Sequence, residues 1–117
     1  MAGETGISRE LKRGTLEMIL LHLLSLRETY GYQLVTTVEE SLGWEWQLKE
    51  GTLYPVLYRL EDAGLVATRW ETLERGVPRK YYRLTESGRR RLGELVADWR
   101  AFVAGVERVL AREQEEE

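Results

Sequence analysis

One apolar stripe near the end of the chain restricts the possible folds more than any other feature. Leu92, Leu95, Trp99, Phe102, Val106 and Val109 recur in steps of three and four residues over nearly three heptads, flanked by Val96, Val103 and Leu110. That spacing predicts one long helix, opened by Thr85 as N-cap and Glu86. A terminal helix with so much apolar surface, following a domain that has its own core, needs a groove in its own chain or a second subunit. The second subunit is the preferred answer, which makes the six stripe residues candidate dimerisation positions.

The residues before it are enough for such a core. A chain of 117 residues, 43% hydrophobic and 32% charged, fits one domain plus an appendage. Cysteine is absent, which removes disulfides, thiolate metal sites and cysteine nucleophiles and fits a reducing, cytoplasmic setting. The longest apolar run, Met18 to Leu24, is broken by His22 and falls far short of the roughly 20 residues of a membrane span. With no signal-peptide core at the N-terminus either, no membrane partner is expected. The net charge of −3 is segregated. Residues 15–64 carry three basic and eight acidic side chains, while residues 65–85 carry five basic and two acidic. Another four negative charges come from Glu113, Glu115, Glu116 and Glu117, so 113–117 is expected to be a disordered acidic tail. The acidic total therefore conceals a local basic cluster of the kind nucleic acid selects.

Periodicity orders the remaining elements. A first helix is expected from Ser8 to Leu26 on the spacing of Leu11, Leu16, Ile19, Leu20, Leu23 and Leu24, with Gly14 marking an alternative start at Thr15. A second runs from about Tyr32 to Leu42, stopped by Gly43. Trp44, Trp46 and Leu48 alternate with Glu45, Gln47 and Lys49, as in a short half-buried strand. A third helix occupies Thr52 to Ala63, with Thr52 as N-cap, Pro55 in its first turn, Leu53, Val56, Leu57 and Leu60 inward, and Gly64 after it. Two strands near Leu65–Glu71 and Arg79–Leu84 form a hairpin with a long tip containing Gly76 and Pro78.

Helix, helix, strand, helix and hairpin is the order of a winged helix-turn-helix, whose third helix enters the major groove while the hairpin straddles the backbone. The expected fold is thus mainly α with a small β-hairpin: a DNA-binding unit over 1–85 and a dimerisation helix over 86–112. Thr52, Tyr54, Tyr58 and Arg59 project from the outward face of the third helix, where they can meet base edges or phosphates. Arg75, Arg79 and Lys80 lie on the hairpin, where each charge can displace a counterion from a phosphate.

Two segments resemble the PadR family of transcriptional regulators. Residues 50–65, EGTLYPVLYRLEDAGL, look like its recognition helix, and residues 80–88, KYYRLTESG, are similar to the segment that leaves its wing. The resemblance continues through Arg13-Gly14-Thr15-Leu16-Glu17 and Tyr30-Gly31-Tyr32, and through the single closing helix of the short subfamily. It implies a homodimeric, ligand- or stress-responsive repressor of operator DNA, with the closing helix crossing to the other subunit. It also implies DNA contact by Thr52, Tyr54 and Tyr58 and by Lys80 and Tyr82 of the wing; Arg59 and Arg79 are added for their charge. In multidrug-binding relatives a tryptophan on the closing helix stacks on flat aromatic ligands, and Trp99 occupies the similar position.

Plainer roles stand beside these. The tyrosines and arginine of the third helix could form a solvated face, and the hairpin cations a solvated charge cluster. Trp99 could serve packing alone, with Trp44 and Trp46 likewise in packing roles. His22, the sole histidine, is expected in the core or at an interface. No nucleotide loop, paired-carboxylate site or zinc pattern is present, so no enzyme, metal or cofactor is expected. Alternative functions are a small-molecule sensor with an aromatic pocket at the dimer interface, and a winged-helix module that binds only protein.

Overall fold

A computed structural model describes residues 15–43, 46, 48, 51–73 and 75–113. Helix α1 spans Leu16–Leu26 and buries Leu16, Leu20, Leu21 and Leu24, the side chains its three- and four-residue spacing places on one face. Thr15 stands at its N-cap position with helical backbone angles and no capping side-chain bond. The candidate cap Ser8, with Leu11 and Gly14, lies outside the described residues.

Strand β1, Thr29–Tyr30, follows, and helix α2 covers Gly31–Leu42. Gly43 ends α2 at φ 82°, a left-handed conformation that suits glycine. At Trp46 and Leu48, the two described residues of the segment expected as a strand, no strand is formed. Trp46 sits in a 3₁₀ turn, its N–H donating to the Gly43 carbonyl at 3.4 Å, and both Trp46 and Leu48 pack against the core. Trp44, Glu45, Gln47 and Lys49 lie outside the described residues. Alternation of large apolar and polar residues records which side chains seek cover, and an irregular turn against a core satisfies it as well as a strand does. The third strand of the sheet is supplied by Thr29–Tyr30 instead.

Helix α3 runs over Leu53–Asp62 with Leu53, Val56, Leu57 and Leu60 buried. Burying four such side chains is worth at most about 1.5–3 kcal/mol each, which holds this short helix on the domain. Thr52 again has helical angles and makes no side-chain cap, contrary to expectation. Strands β2, Val66–Glu71, and β3, Arg79–Leu84, form the hairpin, and the antiparallel sheet has the order β1-β3-β2. Tyr30 pairs with Tyr81, and Tyr81 with Arg69; Thr29 pairs with Tyr82, and Tyr82 with Thr68. The architecture is a winged helix followed by a long closing helix.

That closing helix, α4, spans Glu86–Leu110, a length of about 37 Å at 1.5 Å per residue. Thr85 caps it as predicted, its Oγ1 accepting the Gly88 N–H at 3.0 Å. The same hydroxyl donates toward the Gly64 and Leu65 carbonyls at 2.8 and 3.0 Å, and Thr85 N–H donates to Leu65 O at 3.1 Å. The end of α3, the start of β2 and the start of α4 are thereby tied at one point. The apolar stripe divides in two: Leu92 and Leu95 pack against the chain's own core, whereas Phe102 and Val109 are 60% and 67% exposed.

Candidate nucleic-acid interface

Because α3 commits its apolar face to the core, its other face is left outward. Tyr58 is 52% exposed, and Arg59 is exposed beside it. Tyr54 is only half-buried outward: its ring packs against the core, lies 6.4 Å from that of Tyr58, and has its phenol pKa pushed up, first by burial and then by the neighbouring tyrosines. Thr52 is also partly covered.

The pleat sorts the hairpin side chains onto two faces. On the outer face, Arg69 and Arg79 stack over Tyr81 and Tyr30 at 4.6 and 4.8 Å. Arg69 also makes a forked pair of hydrogen bonds, both 2.9 Å, to Glu28 between α1 and β1. That bond lowers the pKa of the Glu28 carboxyl, and together with the guanidinium charge it outweighs the opposing effect of desolvation. Arg75, at the tip, and Arg79 are both exposed. Among the described residues no carboxylate pairs with Arg59, Arg75 or Arg79.

The inner face holds Thr68, Trp70, Lys80 and Tyr82, and it differs from the sequence-based expectation. Tyr82 is 2% exposed, a member of the core under Gly31, and so is removed from the DNA-contact set. The cause is the alternation itself: counted back from Leu84, Tyr82 and Lys80 fall on the side that faces α3. Lys80 has a side chain 24% exposed, with Nζ 3.2 Å from Glu61 Oε1 on α3. Its ammonium also stands 5.4 Å from the Tyr58 ring centroid, 5.3 Å from that of Tyr82 and 6.0 Å from that of Trp70. Burial works against its charge, but the Glu61 hydrogen bond and the Tyr82 hydroxyl outweigh it, leaving the Lys80 pKa raised. Glu61 Oε2 in turn accepts from Thr68 Oγ1 at 3.0 Å. Sequence reasoning missed Glu61 as this partner, and it missed Trp70, which is 64% exposed at the outer end of the same face.

A separate cavity of about 300 Å³ opens between α1, α2 and α4. Met18, Ile19, Leu23, Val38 and Leu42 form its apolar walls, with His22 and Trp99 at its edge. His22 is thus exposed in the single chain rather than buried in its core. Among the described residues, no group of three or more histidine or acidic side chains could hold a metal, and no helix is long and apolar enough to cross a membrane.

The sequence profile of the transcriptional regulator PadR-like family matches residues 20–94, which take in α1 from Leu20 onward, α2, α3, the three-stranded sheet and the opening turns of α4. The chain belongs to that family. The PadR-family match agrees with the resemblance carried by the two motifs, and the family is one of transcriptional regulators rather than enzymes. In structure the chain is similar to the PadR family transcriptional regulator from Eggerthella lenta, with a TM-score of 0.77, 39% identity, and coverage of 89% of this chain and 88% of the other. It is 34% identical over 86 residues to transcriptional regulator Rv3488 of Mycobacterium tuberculosis, covering 74% of this chain and 77% of that protein. It is also 34% identical over 77 residues to the negative transcriptional regulator PadR of Bacillus subtilis, covering 66% of this chain but only 42% of that protein.

Proposed function

We propose that this PadR-family regulator is a homodimeric repressor that binds operator DNA through α3 and the β2–β3 wing. The observation that carries the reading is the coincidence of an outward Tyr58–Arg59 surface with the exposed Arg75 and Arg79 of the adjoining hairpin. A helix in the major groove reads base edges, and cations on a wing anchor phosphates without reading sequence. In this assignment Tyr54, Tyr58 and Arg59, with Thr52 at the helix start, meet the major groove, and Arg75 and Arg79 meet the backbone. The repressing direction is supported by the name of the Bacillus subtilis relative. Pairing of two chains along α4 is supported by the exposed half of its stripe.

Binding to the DNA upstream of its own gene, measured across a salt series, tests the reading. Specific, salt-sensitive binding is expected, with Arg79→Ala lowering the slope of log affinity against log salt by about one. Arg59→Ala should weaken binding with the fold intact. Binding that neither prefers this DNA nor falls with salt overturns the proposal.

The cavity beside Trp99 favours a second element, an effector site. Its volume is at the lower end of the roughly 300–1,000 Å³ of small-molecule pockets, and its walls are mostly apolar. A flat aromatic molecule stacked on Trp99 is the occupant this lining suits, and its binding should quench tryptophan fluorescence in the parent and not in Trp99→Phe. Unchanged quenching in that variant would put the pocket elsewhere.

A further inference from the structure

We infer that Lys80 is a positioning residue: paired with Glu61, it sets the angle between wing and recognition helix and does not itself contact phosphate. The inference rests on the DNA-binding reading above and refines it.

The argument starts from where the charge is spent. A lysine that serves as a phosphate anchor keeps its ammonium in solvent, as a compact and strongly hydrated point charge. Lys80 is instead partly withdrawn, with its side chain 24% exposed. Its ammonium is tucked between β3 and α3, paired with Glu61 at 3.2 Å and walled by the rings of Tyr58, Tyr82 and Trp70. Two of the ammonium's neighbours, Tyr82 and Trp70, come from the sheet and two, Glu61 and Tyr58, from α3, so one side chain joins both DNA-facing elements. Glu61 is itself oriented, because its second oxygen accepts from Thr68 on β2. The chain of contacts runs β3 to α3 to β2 and closes on the hairpin, since Thr68 is on the same sheet face as Lys80. With its charge neutralised by Glu61, Lys80 adds little to the field at the DNA surface. The exposed Tyr58 ring rests against this pair, so the geometry of a candidate base-contacting side chain depends on it.

Direct contact and positioning predict opposite results for Glu61→Gln. If Lys80 were a phosphate anchor, removing the carboxylate would free its ammonium and delete a negative charge beside DNA, so affinity would rise. In the positioning role, affinity falls roughly fivefold and the salt slope is unchanged. Lys80→Met should weaken binding by a similar factor, also at unchanged slope, and the double variant should be no weaker than either single one. Thr68→Val, which removes only the orienting hydrogen bond, should give a smaller loss in the same direction.

Hydrogen exchange on the free protein supplies a second, DNA-independent measurement. Amides of β2 and β3 should exchange faster in Glu61→Gln and Lys80→Met, with the melting temperature and oligomeric state close to those of the parent. A slope lowered by about one in Lys80→Met, Glu61→Gln binding as tightly as the parent, or unchanged wing exchange would each overturn the inference. A parent that shows no DNA preference at all instead overturns the repressor reading, and the exchange data still decide whether the pair fixes the wing.

Discussion

A β-carbon placed on Gly88 would collide with the Leu65 carbonyl oxygen and lie 2.7 Å from Leu84 Cδ1. The neighbouring backbone cannot yield, since Leu65 also accepts the Thr85 hydrogen bonds. Glycine within a helix ordinarily costs up to about 1 kcal/mol relative to alanine, so here exclusion of the methyl outweighs propensity. Gly88→Ala is expected to destabilise by about 1–3 kcal/mol through overpacking. Gly93, farther along the same helix, has nothing within 4 Å of its added β-carbon, and Gly93→Ala should raise the melting temperature. Thermal melts of the two variants side by side check both signs. Gly88 was legible in the sequence as part of a motif, but the reason for it was not, because Leu65 approaches it from a distant position in the chain. Tyr82 shows the complementary failure. The alternation that buries it was present in the sequence, but the resemblance assigned it to DNA.

Helices were the readable elements, since each of α1 to α4 repeats its apolar residues often enough to define a face. Strand β1 was not, because two residues cannot display a period. Its attachment depends on partners remote in sequence: pairing to β3 and the forked Arg69–Glu28 bond between β2 and the turn before β1. This bond has a pH signature. Glu28 has its pKa depressed in the folded chain, so its contribution is present above the unfolded value and disappears as pH falls through the folded one. Glu28→Gln should therefore melt below the parent at neutral pH. The gap should close on acidification below the usual carboxylate range, and should narrow with added salt because the pair is partly exposed. Differential scanning calorimetry over a pH series checks this. A gap that is constant down to strong acid would mean the pair contributes nothing.

At the scale of the whole molecule, the apolar stripe of α4 is divided by the fold. Leu92 and Leu95 are consumed internally, while Trp99, Phe102, Val106 and Val109 remain uncovered. The part of the stripe left available for the proposed pairing is therefore its C-terminal four residues, together with the exposed Leu110. Periodicity alone could not draw that division, which depends on where α1 lies against α4. Phe102→Asp is expected to shift the protein toward a single-chain mass in sedimentation. It should also weaken operator binding by roughly tenfold or more, since two linked reading heads become two independent ones. Monomeric parent protein would remove the premise. The knot at Thr85, where one hydroxyl touches both the exit of α3 and the entry of α4, ties the two together. In the proposed dimer, a change of tilt between paired closing helices would be passed on to each winged head, turning it like the blade of a pair of shears about a common rivet.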